Sequence, residues 1–131
     1  MVSDYKSLKN GYRAHGTASA QVGSGSSGWM LLFYCVECGL KAELAYRSGK
    51  FVSNQLEANL QSHDLRRLAK ELNIPPPYIS GCHTQSTREY IEPNDLHLAW
   101  RYGRVLDAQE QSASLDGLGR LQAWCKESLG T

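Results

Sequence analysis

Residues 29–47, WMLLFYCVECGLKAELAYR, constrain the fold of this chain more than any other stretch. The first half of the segment is apolar at every position, whereas a helix on a protein surface is apolar along one face only. The segment has the length of a helix and contains no proline, so we predict the central buried helix of an all-α domain. Glu37, Lys41 and Glu43 interrupt its second half, and the remaining apolar run is too short to cross a bilayer.

Length and composition predict one domain over residues 1–131, because a chain of this size can bury a hydrophobic core. Fourteen basic and thirteen acidic side chains give a net charge of +1, which argues against a strongly basic nucleic-acid-binding protein. The polar N-terminus does not resemble a signal peptide. Four cysteines in a chain of this class are typical of thiols kept reduced. We therefore expect a cytoplasmic protein that does not bind membranes.

Apolar spacing and capping residues predict further helices around the central one. The predicted segments are residues 3–16, 54–60, 62–73 with Ser62 as the cap, 93–103, and a last helix opened by Asp107 with Glu110 as its capping partner. The side chains expected to face inward are Tyr5, Leu8, Tyr12, Leu40, Leu65, Leu68, Ala69, Leu72, Leu96, Ala99, Trp100, Leu118, Leu121, Cys125 and Leu129. On the first predicted helix, Lys6, Lys9 and Arg13 form a basic stripe opposite the inward-facing residues, and this stripe is expected to be solvated.

The connections between these helices predict an antiparallel bundle of four or five helices. Residues 16–28 are small and polar and are expected to be a flexible connection, while residues 74–92 follow a break at Pro75, Pro76 and Pro77 and are expected to be a loop. No segment alternates between apolar and polar residues for long enough to predict a sheet.

One candidate site lies in the predicted helix 93–103. His97, Arg101 and Arg104 are spaced i, i+4 and i+7, so a continuous helix would place them on one face. Two guanidinium groups beside an imidazole can bind a phosphate and exchange a proton with a ribose hydroxyl, and Tyr102 can stack on a base. The alternative is that Arg101 pairs with a buried carboxylate such as Glu37. Gly103 would also end the helix before Arg104 joins this face.

Two further polar features concern the central helix and the start of the helix at 62–73. Glu37 and Lys41, at i and i+4, are expected to form a structural pair, and a Glu in so apolar a helix is also expected to contact another helix. His63 and Asp64 open a helix whose free N–H groups could bind an anion. The favoured alternative is that His63 packs and hydrogen-bonds to a nearby carbonyl.

A zinc site is the least favoured interpretation of the cysteines. Cys35 and Cys38 form a C-x-x-C pair, and Cys82 and His83 are adjacent. Structural zinc sites usually place C-x-x-C in a tight turn rather than in a helix, and reduced cysteines are often simply buried. We therefore predict no metal and no cofactor.

Three segments, in order, resemble the HEPN family of small helical domains. They are YCVECGLKAEL at residues 34–44, HDLRRLAKEL at 63–72 and AWRYGR at 99–104. With the final amphipathic helix, the resemblance covers residues 30 to about 129. It implies a dimeric bundle of toxin–antitoxin or defence gene pairs, often encoded beside a minimal nucleotidyltransferase, that binds RNA or a nucleotide. A homodimer is also expected because residues 29–34 offer more apolar surface than one small bundle absorbs.

RNA-cleaving members of this family carry an Arg followed four to six residues later by a His. No Arg of this chain has a His at that distance, since Arg88 and His97 are nine positions apart. The resemblance therefore implies a non-catalytic module that binds RNA, a nucleotide or a nucleotidyltransferase partner. Two alternatives stay open. One is a divergent metal-independent ribonuclease that uses His97 with Arg101, or His63. The other is a protein-interaction subunit with no nucleotide role.

Overall fold

A computed structural model, which describes residues 4–49 and 54–130, shows a bundle of six α-helices. Three are long, namely α1 (Tyr5–Val22), α2 (Ser26–Ser48) and α6 (Ala108–Leu129). Three are short, namely α3 (Asn54–Leu60), α4 (Leu65–Glu71) and α5 (Leu96–Arg101), and a 3₁₀ turn at Pro93–Asp95 leads into α5. The predicted all-α class is confirmed. The helices exceed the predicted four or five because three of them are only one or two turns long.

The central position predicted for α2 is confirmed, because each of the other five helices packs against it. Phe33, Cys35, Val36 and Leu40 of α2 are fully buried. The side chains predicted to face inward are buried in all cases except Tyr5, which is partly buried. None of the described helices is long and apolar enough to span a membrane.

The connection between α1 and α2 is shorter than predicted. Residues 16–22, expected to be flexible, continue α1 as far as Val22, and only residues 23–25 separate the two helices. Gly23 and Gly25 have φ angles of 78° and 123°, which L side chains rarely adopt. The Ser19 hydroxyl donates a hydrogen bond to the Gly28 carbonyl oxygen at 2.8 Å. A Cβ atom at Gly28 would clash with the Gly23 carbonyl, so this tight hairpin requires glycine there.

The three long helices meet closely at Gly39 of α2. A Cβ atom at this position would lie 2.7 Å from Cys125 Sγ of α6 and 2.8 Å from a ring carbon of Tyr12 of α1. Close contacts with α2 also occur along α1, where a Cβ atom on Gly16 would lie 3.2 Å from Cys35 Sγ. Small residues in the second half of α1 therefore allow close packing on α2, which explains why a stretch with the composition of a loop is helical.

Helix caps are partly as predicted. Asp107 accepts a hydrogen bond from the Glu110 backbone N–H at 3.0 Å and opens α6 as expected. At α4 the cap is Asp64 rather than Ser62, because the Asp64 carboxylate accepts from the backbone N–H groups of Arg66 and Arg67. The Ser62 hydroxyl instead accepts a hydrogen bond from the Asp64 N–H at 2.9 Å.

The predicted absence of a sheet is wrong at one small hairpin. Strand β1 (Cys82–His83) pairs antiparallel with β2 (Tyr90–Ile91), with Cys82 opposite Ile91. Strands of two residues are too short to show alternation in a sequence. The Ser114 hydroxyl of α6 donates a hydrogen bond to the Ser80 carbonyl oxygen at 2.7 Å and ties the hairpin to the bundle.

Truncation of the fully buried Leu40 or Leu68 to alanine should lower the free energy of unfolding by about 2–5 kcal/mol, because each change leaves a cavity in a packed core. Urea unfolding monitored by circular dichroism measures this difference. Leu98→Ala on the exposed face of α5 serves as the control and should cost much less. An unchanged urea midpoint for Leu68→Ala would contradict the packing of α4 described here.

Candidate functional site

Four polar side chains come together on one side of α2 and are called the Glu37 cluster here. They are Glu37 and Lys41 of α2, His63 just before α4, and His97 of α5. Glu37 and Lys41 are only 8% and 6% exposed, and Lys41 Nζ lies 3.2 Å from Glu37 Oε2. The other carboxylate oxygen of Glu37 lies 2.8 Å from His63 Nδ1. The predicted Glu37–Lys41 pair and the predicted contact of Glu37 beyond its own helix are both confirmed.

His63 connects this buried pair to the surface. An ionised carboxylate can only accept hydrogen bonds, so Nδ1 of His63 carries the proton in the contact with Glu37. The partner of His63 is thus a carboxylate, and the predicted hydrogen bond to a carbonyl is wrong. The His63 side chain is 57% exposed, so solvent or a ligand can reach its ring. The carboxylate fixes the orientation of an imidazole that a ligand can contact.

His97 lies directly beneath His63. Its ring centroid lies 5.2 Å from that of His63 and 4.7 Å from that of Phe33, and the residue is only 5% exposed. Burial lowers the pKa of His97, and the neighbouring His63 lowers it further. The imidazole is therefore neutral at pH 7. Its Nδ1 atom is buried and has no hydrogen-bond partner in the described part of the chain.

The cluster combines structural and chemical features. The contacts of Glu37 hold the segment before α4 against α2, and this structural role alone would explain why they form. Packing does not explain the unpartnered Nδ1 of His97, because a buried polar atom without a hydrogen bond costs stability. Two adjacent imidazoles, one of them oriented by a carboxylate, can hydrogen-bond to a phosphate or hydroxyl and can move a proton. This is the strongest candidate site in the molecule.

The predicted face of His97, Arg101 and Arg104 does not form. Helix α5 ends at Arg101, and Gly103, with φ of 68°, turns the chain away before Arg104. Arg104 forms an ion pair with Glu89. His97 points into the bundle, whereas Arg101 is exposed. Arg101 still lies near His97. Its positive charge lowers the pKa of His97, although burial and His63 lower this pKa more.

The alternative pairing of Arg101 with Glu37 does not form either. Both carboxylate oxygens of Glu37 contact other groups, one Lys41 and the other His63. Within residues 4–49 and 54–130, the Arg101 side chain has no ion pair. Arg101 is thus an exposed cation beside the Glu37 cluster and is available to a ligand.

Tyr102 is 73% exposed, but its surroundings are acidic. It lines a cleft of about 340 Å³ together with the carboxylates Glu89, Glu92 and Asp95. These carboxylates would repel a phosphate group. Among the residues predicted to bind a nucleotide, Arg101 and His97 therefore remain next to one another, while Tyr102 and Arg104 face an acidic cleft.

The residues considered for zinc lie in two elements, Cys35 and Cys38 on α2 and Cys82 and His83 on β1. Cys35 Sγ accepts a weak hydrogen bond from Gln122 at 3.7 Å, and burial raises the pKa of this thiol to about 11. Cys82 lies 3.2 Å from the Ser114 hydroxyl, and His83 Nδ1 lies 3.1 Å from Glu110 Oε2. In the part of the chain that the structure describes, no group of three or more His, Cys, Asp or Glu side chains could hold a metal. The metal-free state stays a prediction.

Sequence reasoning missed the contact between His63 and His97 and the aromatic groups around it. Tyr34 of α2 packs on His97 with ring centroids 5.6 Å apart, and His15 of α1 packs on Tyr34 at 5.8 Å. These residues come from four separate segments, so no local spacing could reveal them. The available signal was a Glu inside an otherwise apolar helix, which requires polar partners from elsewhere.

Comparisons with protein-family models, curated proteins and solved structures gave no match. A function for the Glu37 cluster is therefore inferred from its geometry.

The lowered pKa of His97 predicts a loss of stability in acid. Its folded-state pKa lies below the ordinary value of 6.5, so the unfolded chain binds this proton more tightly. The contribution is present above pH 6.5 and is lost as the pH falls toward the folded-state pKa. NMR titration should place the pKa of His97 below 6.5, and His97→Phe should lose less stability between pH 7.5 and pH 5 than the wild type. A His97 pKa above 6.5 would contradict its burial.

Proposed function

We propose that this chain is a HEPN-like helical module that binds RNA or a nucleotide beside the Glu37 cluster, where the exposed side chains of His63 and Arg101 both lie near His97. The observation that carries this proposal is the contact between the His63 and His97 rings next to a buried Glu37–Lys41 pair. Buried ion pairs often contribute no net stability, and ionisable groups in unusual surroundings concentrate at functional sites. The resemblance of three segments to the HEPN family supports the same ligand class.

The charges around the cluster favour a small ligand. A guanidinium group such as that of Arg101 donates two parallel hydrogen bonds to a phosphate, and the exposed ring of His63 adds another donor or acceptor. Arg104 is neutralised by Glu89, whereas Arg66 and Arg67, in the first turn of α4 just after His63, form no ion pair within the described residues. With only a few such cations around the cluster, a nucleotide or a few unpaired nucleotides fit better than a duplex, whose binding depends on many phosphate contacts.

Arg101→Ala should weaken binding of ATP or of a short labelled single-stranded RNA by about 1–3 kcal/mol, the range of a hydrogen bond to a charged group. Because Arg101 is exposed, its loss should change the free energy of unfolding by less than about 0.5 kcal/mol. Fluorescence anisotropy at several salt concentrations and thermal unfolding measure the two quantities.

Arg120→Ala is the matched control, since Arg120 is an exposed arginine on α6 outside the cluster. It should leave binding unchanged. A stable Arg101→Ala protein that binds as well as the wild type, or a wild type that binds neither probe, would end the RNA and nucleotide proposal.

Metal-independent RNA cleavage is the second candidate function, and one observation favours it. Glu37 holds the proton on Nδ1 of His63, so Nε2 of that ring is the atom left to accept a proton from a ribose 2′-hydroxyl. In such a reaction the 2′-oxygen attacks phosphorus and the 5′-oxygen leaves with a proton, for which the adjacent imidazole of His97 is the available donor. Its lowered pKa makes His97 a poor proton donor at pH 7, so this candidate ranks below binding.

If the chain cleaves RNA, the products in EDTA should end in a 2′,3′-cyclic phosphate, and both His63→Ala and His97→Phe should abolish cleavage. Gel analysis of an end-labelled RNA with mass spectrometry of the products tests this. Intact RNA after prolonged incubation with the wild type would rule out the ribonuclease and leave binding as the function.

Binding of a protein partner, such as the minimal nucleotidyltransferase that the resemblance implies, is compatible with binding of RNA or a nucleotide. Tyr90, Leu98 and Tyr102 are exposed and line the acidic cleft, which supports a partner that presents basic and apolar side chains. A nucleotidyltransferase encoded by the neighbouring gene would support this partner. If the chain binds a protein but neither a nucleotide nor RNA, its function would be that of a protein-interaction subunit with no nucleotide role.

A further inference from the structure

A large groove lies between α1 and α6, on surfaces that share no residue with the Glu37 cluster. Its volume is about 640 Å³, and α2 forms its floor through Cys35. The lining residues are Tyr12, Arg13, Gly16, Thr17, Ala20, Cys35, Gly119, Gln122, Ala123 and Lys126. Because most of these side chains are small, the groove is shallow and open along both helices.

The groove is cationic. Arg13 on one wall and Lys126 on the other are its charged side chains, and no carboxylate lines it. Neither cation forms an ion pair with any residue in the described ranges. The complementary occupant therefore carries an anionic group where it passes Arg13 and Lys126.

The exposed face of α6 carries such an anion next to this groove. Ser112, Asp116, Gly119, Ala123 and Lys126 recur at alternating spacings of four and three residues, and all of them are exposed. This is the spacing of a helix-pairing seam. The seam has small residues at its middle, and a Cβ atom on Gly119 would meet nothing within 4 Å. A second helix could therefore approach α6 closely, at the short end of the usual 8–10 Å between packed helix axes.

We propose that a second copy of this chain covers the groove, with the exposed seams of the two α6 helices packed antiparallel about a two-fold axis that crosses α6 at the level of Leu121. In an antiparallel pair, residues at equal distances from the axis face one another. Asp116 and Lys126 each lie five positions from Leu121, and Gly119 and Ala123 each lie two positions from it. This register pairs Asp116 of each copy with Lys126 of the other, close to Arg13, and pairs Gly119 with Ala123 at the crossing.

Self-complementarity distinguishes a second copy from any other acidic helix. The same face of α6 holds both the anion and the cation, in positions that match under a two-fold rotation, as an isologous dimer requires. The dimer expected from the sequence rested on residues 29–34. Those side chains are buried or partly buried within one chain, and Trp29 packs on Trp100 with ring centroids 6.2 Å apart. The α6 seam offers an exposed surface for dimerisation that residues 29–34 do not.

Charge reversal tests the register. Sedimentation equilibrium of the full chain should show a dimer for the wild type at micromolar concentration. Asp116→Lys and Lys126→Asp should each weaken dimerisation by at least about tenfold, because the symmetry makes every reversal act twice. The double variant Asp116→Lys/Lys126→Asp should restore dimerisation to within about threefold of the wild type.

Steric and charge controls complete the test. Gly119→Leu, at the crossing, should abolish the dimer, whereas Ala58→Leu, at an exposed position on α3, should not. Arg66→Glu, at an exposed position on α4, is the charge control and should also leave the dimer intact. Circular dichroism should show that all variants are folded, since each position is exposed.

Three results would overturn the proposal. The first is a wild type that stays monomeric up to about 100 μM, since that leaves the groove uncovered by a second copy. The second is a dimer that is insensitive to both reversals and to Gly119→Leu. The third is a double variant that remains as weak as the single ones, which would exclude this register. Arg101→Ala should leave the dimer unchanged, so failure of RNA binding and failure of the dimer are separate outcomes.

Discussion

Glu37, Lys41 and Glu43 of α2 have little access to water, because each of the other helices described packs against α2. Glu37 and Lys41 therefore neutralise one another inside the protein, and one oxygen of the carboxylate remains for a donor from another segment. His63 is that donor, and its position fixes where the chain enters α4. The same contact brings the His63 ring against His97. The location of the candidate site thus follows from the burial of one carboxylate.

Close packing around α2 depends on pairing glycines with side chains from neighbouring helices. Gly39 leaves room for Tyr12 and Cys125, and Gly11 and Gly16 of α1 lie against Cys38 and Cys35 of α2. Glycine inside a helix costs conformational entropy, but it allows two helix axes to approach. The thiols therefore fill small spaces at helix crossings, and this packing accounts for their positions without a metal or a disulfide.

The apolar periodicity of the sequence predicted the helices and their inward faces, because burial of one face is the dominant constraint on a helix. The length of α1 was underestimated, since Gly16, Thr17 and Ser19 have weak helical propensity and only the packing on α2 keeps them helical. The site was harder to predict. The i, i+4, i+7 spacing that suggested a shared face for Arg104 assumes a continuous helix, and the left-handed backbone at Gly103 ends it. The meeting of His63 with His97 depends on the path of the intervening loops, which no local pattern specifies.

The buried thiols give the bundle an internal measure of its own opening. Cys35, Cys82 and Cys125 are fully buried, and burial raises the pKa of each of these thiols. A thiol reagent reacts with the thiolate and must reach the sulfur, so it can modify each cysteine only after the elements that cover that sulfur separate. Cys35 and Cys125 lie where α1 and α6 meet α2, whereas Cys82 is part of the hairpin and its sulfur contacts Ser114 of α6. The modification rates of the individual cysteines would therefore distinguish a motion that releases the hairpin from one that separates the long helices.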